Sequence, residues 1–557
     1  MAWILMKRAE KRSKFVFLTW RYRISYIGFV GMLLMYCLRV NMSLAIVCMV
    51  KPVHHAQNAT EVIANVTGAT YIYNRTIVPV DRNCDDLTEK TGNDTHMGTF
   101  EWPRSLQGTV LAAYFYGYII TQVPSGLLAR RFGSKIVIII GLGIAAIGTI
   151  LIPLAARWNV YCVLALRVVI GLGSAVTVPA YHNLWSQWAP VFERTKLATI
   201  SIAGSTTGNI IMFFLSGFLC VYGFDGGWPS IFYLSGIGTL TWLVFWTVFV
   251  YDSPDKHPYI SEEERREIHD SIDKQVKQAK NEGIPWLDFA KSPAVWAIII
   301  GHLCNNYVAY TLMVCLPIYM RDVLKFDMKQ NGLFMALPYV LMSVSVVFGG
   351  QIVDILRKRG LKTGLIRKIC QTLGCMVPAV LLIGAGFVTC QQRMAAVALF
   401  IIAVGFTSFT KSAYVVNHLD IAPKYAGILY GISNTFGTIS GFAAPLVVGK
   451  MTTHGSREEW QIIFYICAAI YTIGTIFYGV FAEGEVQPWA MGGEQRAYSI
   501  SNPVLGSGSD QERQSLSKAD SLEPADDRLV RSGTDLMRSL EEVDNASSDS
   551  EEAVVNC

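Results

Sequence analysis

Charge is what this sequence has least of. Only 16% of its 557 residues are Asp, Glu, Lys or Arg, against roughly 25% in soluble domains. The deficit is uneven: charges crowd both ends, one central segment and short loops, and long stretches between them carry almost none. That pattern excludes an ordinary water-soluble globular chain. Cys-x-x-Cys pairs and metal-type Cys/His spacings are missing, so nothing points to a zinc site or a redox dithiol. Phosphate-binding loops and nucleophile–base spacings are missing too, and no enzymatic class is indicated. The net charge of +5 is not a nucleic-acid footprint, because the basic residues flank apolar runs instead of lining one face.

What the chain has is apolar length. Mean hydropathy is +0.36, and a run of about 20 apolar residues crosses the hydrocarbon as a helix. Twelve such runs are expected, near 25–50, 106–129, 135–156, 158–181, 197–222, 230–251, 294–320, 330–353, 367–389, 394–416, 424–450 and 459–482. The fold class is therefore an all-α membrane protein. Lys7, Arg8, Lys11, Arg12 and Lys14 precede the first run; Arg130, Arg131 and Lys135 separate the second and third; Arg357, Lys358, Arg359, Lys362, Arg367 and Lys368 separate the eighth and ninth. An even number of spans puts all three clusters on one side, which the positive-inside rule makes cytosolic, with both termini. The first run is too long for a signal peptide and lacks a small-residue cleavage site. The loop 51–105 carries four N-x-[ST] sequons, at Asn58, Asn65, Asn74 and Asn93. They are expected glycan acceptors on the lumenal or extracellular side. Cys84 and Cys390 should face that oxidising side and are a candidate disulfide between the halves, while most other cysteines read as small core residues.

The expected layout is a cytosolic N-terminus (1–24), a six-span half (25–251), a central cytosolic segment (252–293), a second six-span half (294–483) and a Ser/Asp/Glu-rich tail (484–557) predicted to be disordered. The central segment reads as a surface helix over Glu262–Lys280. The halves look like repeats. His182 followed by Ala189-Pro190 matches His418 followed by Ala422-Pro423, and Gly126-x-x-x-Arg130 matches Gly350-x-x-x-Asp354. Parallel six-helix repeats describe a secondary transporter with its site at the midplane. Gly171, Gly204 and Gly208 would let helices approach closely.

Two arginines lie deep in apolar runs. Arg39 is about 15 residues into the first run, roughly 22 Å, and Arg167 about nine residues from the opposite face, roughly 14 Å. A charge near the bilayer centre costs at least ~2.5–3.5 kcal/mol and by default marks a substrate or ion path. Two guanidinium forks can clamp a carboxylate or phosphate, so the expected partner is a small anion. Lys411, deep in the tenth run, either adds a third positive charge, pairs with backbone or snorkels outward. Asn305, Asn306, Tyr307, Tyr310, Tyr114 and Tyr118 are candidate neutral donors lining the cavity, with aromatic-belt or packing roles as the alternative for the tyrosines. His302 and His418 titrate near neutral pH and are candidate coupling groups. Asp420, paired with a loop arginine, and Asp354 with Arg131 are candidate gate elements.

Several strings are specific enough to carry a resemblance. They are Leu38-Arg39-Val40-Asn41-Met42-Ser43, Tyr116-Gly117-Tyr118-Ile119-Ile120-Thr121-Gln122-Val123-Pro124, Asn417-His418-Leu419-Asp420-Ile421-Ala422-Pro423 and Gly484-Glu485-Val486-Gln487-Pro488-Trp489-Ala490. Over about 25–490 the chain resembles the anion–cation symporters of the major facilitator superfamily. That family includes sialin, the vesicular glutamate transporters and the type I sodium–phosphate cotransporters. The match is closest to sialin-like and insect phosphate-cotransporter-like members. The resemblance implies the major-facilitator fold of twelve helices in two halves. It also implies transport of a small organic or inorganic anion (phosphate, sialic acid or another carboxylate) by alternating access, driven by a cation gradient or the membrane potential. No cofactor is implied beyond Na+ or H+ as coupling ion. The expected location is the plasma membrane or a lysosomal or vesicular membrane. Family members carry acidic residues linked to proton coupling after the fourth-span arginine, where this chain has Ile170 and Ser174. That leaves sodium coupling, potential-driven uniport or another proton site. Leu111 and Asn305 replace a histidine and an arginine of the glutamate transporters, which argues against glutamate. The alternative readings are a proton-coupled exporter of acidic sugars or amino acids and, in another class, a non-transporting sensor or scaffold.

Overall fold

The computed structural model describes residues 19–51, 98–190, 193–278 and 284–491. Twelve long helical spans dominate: Trp20–Met49, Arg104–Phe132, Ser134–Trp158, Val160–Trp188, Arg194–Tyr222, Trp228–Phe249, Pro293–Asp322, Met328–Lys358, Thr363–Phe387, Cys390–Ile421, Ala426–Met451 and Arg457–Phe481. They match the twelve apolar runs, usually with an extra turn at one end. Ten of them are long and apolar enough to cross a membrane. The second and eleventh are as long but more polar, because they pack on each other. Thr438 Oγ1 donates to Gln122 Oε1 at 3.0 Å, Tyr116 meets Phe442 at 5.3 Å between ring centroids, and Phe115 lies over Gly441.

Apolar burial organises the spans into two halves. One cluster, including Tyr22, Trp185 and Trp246, lies within the first six spans. Another, including Ile298, Tyr414 and Tyr478, lies within the last six. The largest, with Leu38, Tyr114, Met313 and Phe464, draws on both. All twelve spans belong to one compact unit, Met1–Arg357 with Thr363–Ala490. The remainder, Lys358–Lys362 with Met491–Cys557, falls almost wholly outside the described residues.

Three spans are broken. The fourth bends at Val176, between Val160–Ala175 and Thr177–Trp188; Pro179 lacks the N–H that would bond the Ala175 carbonyl. The seventh runs Pro293–Tyr310, widens into a π-turn at Thr311–Cys315 and continues as Leu316–Asp322. Pro317 likewise leaves the Met313 carbonyl without its N–H. The tenth tightens into a 3-10 segment at Thr407–Ser412. There Thr407 and Thr410 hydroxyls donate back to the carbonyls of Val404 and Thr407, at 2.6 and 2.7 Å, an alternative to the helical ladder. Breaks of this kind gather at functional sites.

The side holding the Trp20 and Phe481 ends of the first and last spans is the terminal end, and the opposite side the far end. The halves are latched at the far end. Arg104 of the second span forms an ion pair with Asp322 of the seventh, and Asp322 also takes the Arg321 Nε at 2.9 Å. Arg321 Nη1 donates to the Val47 and Val50 carbonyls of the first span at 2.7 and 3.1 Å. Cys48 and Cys220, which the sequence presents as core residues, are joined by a disulfide between the first and fifth spans. Cys390 is disulfide-bonded, whereas Cys84 and the four sequons lie outside the described residues. At the terminal end the central helix Glu262–Gln278 caps the first span: Glu264 accepts the Trp20 and Arg21 amides at 3.1 and 3.0 Å.

Candidate anion-binding site

Arg39 is drawn into the space between the halves by aromatic rings. Its guanidinium carbon lies 5.0–5.7 Å from the ring centroids of Tyr36, Tyr114, Phe115, Tyr118 and Tyr310. One Nη donates to the Tyr310 hydroxyl at 2.5 Å, linking first and seventh spans. Tyr310 is the last residue before the π-turn, so the break presents it. Arg167 lies over the other arginine's neighbour, with its guanidinium 5.1 Å from the Tyr114 ring. The approach is set by two glycines. A Cβ on Gly171 would collide with the Tyr114 carbonyl, and one on Gly117 with the Val168 carbonyl. Without side chains there, the second and fourth spans touch backbone to backbone.

Both arginines are buried, with 6% and 2% of their surface exposed. Neither forms an ion pair with any described carboxylate, and the Nε of each has no hydrogen-bond partner. Arg167 makes no hydrogen bond to a described residue at all. Cation–π contacts offset part of the several kcal/mol of desolvation that each buried ion costs, but rings carry no net charge. The site thus holds two positive charges that the protein does not neutralise.

The other sequence candidates fall around this pair or further down the second half. Tyr118 is in the cage. Asn305 is buried and donates to the Tyr414 hydroxyl at 3.3 Å, with its own Oδ1 unpartnered. Lys411 stands in the 3-10 break without an ion pair to a described residue. His302 and His418 come together through Ser433, whose Oγ is 3.1 and 2.9 Å from them. Asp420 pairs with Arg367 at 2.7 Å, an arginine that opens the ninth span and packs within the same half. Arg131 and Asp354 are exposed and make no ion pair with a described residue in this state, in which the far end is the latched one. Sequence reasoning missed the far-end latch of Arg104, Arg321 and Asp322. Its one signal was the charged pair Arg321-Asp322 closing an apolar run. It also missed Ser433, for which there was none.

Comparison with known proteins identifies the family and the fold. A family model described as the Major Facilitator Superfamily matches residues 28–445. The chain is 39% identical to sialin of Ovis aries over 85% of its own length and 92% of that protein's, and 39% identical to sialin of Homo sapiens over 85% and 91%. It is 42% identical to vesicular glutamate transporter 1 of Xenopus laevis over 70% of this chain and 68% of that one. Among solved structures, a bacterial homolog of the human lysosomal transporter Spinster superposes with a TM-score of 0.59 at 12% identity, covering 82% of this chain and 96% of that one. The xylose transporter XylE from E. coli gives 0.58 at 14%, covering 83% and 96%. These two likenesses establish the shared helical architecture.

Proposed function

We propose, for a chain that belongs to the Major Facilitator Superfamily, that it is a secondary active carrier of a small anion. The cargo class is a carboxylate or phosphate, moved by alternating access of the two halves. The observation that carries this reading is the pair of buried, carboxylate-free guanidiniums on one tyrosine ring, Arg39 and Arg167 about Tyr114. Two forks can hold one planar or tetrahedral oxyanion in bidentate fashion; a cargo of two negative charges restores neutrality, and one of a single charge removes half the excess. Neutral donors at Tyr118, Tyr310 and Asn305 then select among anions of different shape. The named likenesses to sialin and to vesicular glutamate transporters point to an organic carboxylate. The loss of the span-two histidine and span-seven arginine, at Leu111 and Asn305, favours a cargo other than glutamate.

Alternating access requires the far-end latch to open when the terminal end closes. Arg104, Arg321 and Asp322 are gating residues in this reading, with the Asp420–Arg367 pair fixing the tenth span against the ninth. The termini and the segment 252–293 are cytosolic, the loop 51–105 bears glycans, and the membrane is the plasma membrane or a lysosomal or vesicular one. Uptake of a panel of labelled anions (phosphate, a sugar acid, dicarboxylates, glutamate) into proteoliposomes, with and without sodium and a pH step, tests the assignment. Saturable uptake of at least one carboxylate or phosphate is expected. Failure of every anion, with a neutral sugar transported instead, would overturn it.

A further inference from the structure

We infer that His302, Ser433 and His418 form a single-proton relay that couples proton movement to anion movement. The inference rests on the anion-carrier reading above and identifies the coupling ion and its seat. The three residues come from three different spans: His302 from the seventh, His418 from the tenth and Ser433 from the eleventh. All three are buried. Ser433 Oγ lies between the two rings, 3.1 Å from His302 Nδ1 and 2.9 Å from His418 Nε2.

The partners fix where the hydrogens are. His418 Nδ1 is 3.1 Å from the Val415 carbonyl, which can only accept, so that nitrogen carries a hydrogen. In neutral His418 the Nε2 is then bare and accepts the Ser433 hydroxyl. The hydroxyl oxygen in turn accepts from His302 Nδ1. The chain of donors runs one way: His302 Nδ1–H to Ser433 Oγ–H to His418 Nε2. A proton arriving at His302 Nε2 moves along it. The Nδ1 hydrogen of His302 passes to Ser433, and the hydroxyl's own hydrogen passes to His418. One proton enters and one is held. His418 becomes an imidazolium donating to the Val415 carbonyl and to Ser433 Oγ, and the hydroxyl turns back to His302 Nδ1. The Tyr430 carbonyl, 3.1 Å from Ser433 Oγ, can accept the hydroxyl in transit. His302 Nδ1, Ser433 Oγ and both His418 ring nitrogens keep a partner in both states, and His302 Nε2 is the open end through which the proton enters.

The surroundings supply the coupling. From the tenth span, the Lys411 ammonium is a like charge that disfavours an imidazolium held at His302, and the Tyr414 ring lies 4.7 Å from that histidine. From the eleventh, Tyr430 contacts both imidazoles, at 6.1 and 5.6 Å. From the twelfth, the Tyr478 hydroxyl is bonded to Asn417 at 2.9 Å, and from the first half His182 meets Tyr430 at 6.3 Å. The nearest acid in sequence, Asp420, is committed to Arg367 of the ninth span. No described carboxylate is left to balance an imidazolium here. In this proposal the cargo supplies the negative charge that stabilises the protonated relay, and by linkage the proton raises affinity for the cargo by the same factor that the cargo raises affinity for the proton. This also replaces the acidic residues absent at Ile170 and Ser174.

The test uses full-length protein in proteoliposomes. Two quantities are compared for whichever labelled anion the wild type carries: accumulation driven by an inward proton gradient, and counterflow at equal pH, which moves no net proton. The expected result is that Ser433→Ala and His302→Gln lower the ratio of accumulation to counterflow at least tenfold, whereas Ser433→Thr, which keeps the hydroxyl, retains it. If Ser433→Ala is inactive in both assays, Ser433→Thr decides: a wild-type ratio supports the relay and a collapsed one contradicts it. A wild-type ratio in Ser433→Ala or His302→Gln, or wild-type accumulation indifferent to the proton gradient, would overturn the relay while counterflow left the anion-carrier reading standing. Absence of counterflow for every anion would instead reject the carrier reading.

Discussion

Arg39 of the first span and Tyr310 of the seventh are joined by a 2.5 Å hydrogen bond across the two halves. Tyr310 is the residue at which the seventh span leaves α-helical geometry, so the contact ties the anion site to a flexible joint. An anion that takes the Arg39 fork competes with the hydroxyl and loosens that tie. Tyr310→Phe leaves a buried guanidinium donor unpaired, at a cost of about 1–3 kcal/mol. The variant should melt below the wild type without ligand and gain more than the wild type when cargo anion is added, as read by thermal unfolding in detergent. An unchanged melt in both conditions would separate the contact from the site.

Gly171 sets how closely the fourth span, which carries Arg167, approaches Tyr114 of the second. Its Cβ position is occupied by the Tyr114 carbonyl, so Gly171→Ala pushes the second and fourth spans apart. Overpacking of this kind costs about 1–3 kcal/mol. Uptake should fall well over tenfold in protein that still reaches the membrane, because Arg167 is carried off the Tyr114 ring. Gly126→Ala, where a Cβ meets open space, is the control and should transport normally.

The far-end latch predicts a conformational shift. Asp322→Ala strands Arg104 and Arg321 without their carboxylate, and breaking such a buried pair costs about 3–5 kcal/mol. The far end should open. A reporter cysteine at Val50, which is 2% exposed here, should react several times faster with a membrane-impermeant maleimide in the Asp322→Ala background. Equal rates would show that the latch does not hold the closed state.

The central segment carries its own pH dependence. His257 sits among Trp20, Trp188 and Tyr251, and burial pushes its pKa below the ordinary value of 6.5. A depressed histidine binds its proton more readily in the undocked state, so docking is strongest above about pH 6.5 and weakens as pH falls below it. Hydrogen exchange over 254–260 should accelerate between pH 7 and pH 5, and His257→Phe should remove the change.

The twelve spans and both arginines were legible because hydropathy and buried charge act locally. Arg39 and Arg167 stand out against apolar neighbours without any knowledge of packing. What they touch was partly legible: Tyr114, Tyr118 and Tyr310 could be named as cavity candidates, but only the backbone contact at Gly171 puts Tyr114 between the two arginines. The breaks were half visible. Pro179 and Pro317 coincide with them, but Pro124, Pro153, Pro338, Pro378 and Pro445 lie inside continuous helices, so proline alone does not mark a joint. Cys48 and Cys220 are 172 residues apart in apolar runs, where a disulfide and a core thiol look alike. Ser433 is a common residue made particular by two histidines from other spans.

The most direct measurement is uptake by Arg167→Gln in purified, reconstituted protein at matched abundance. The glutamine keeps the size and a neutral donor but not the charge or the fork. The account predicts loss of at least a hundredfold in anion uptake, with the fold intact by thermal unfolding. Uptake at the wild-type rate would contradict it.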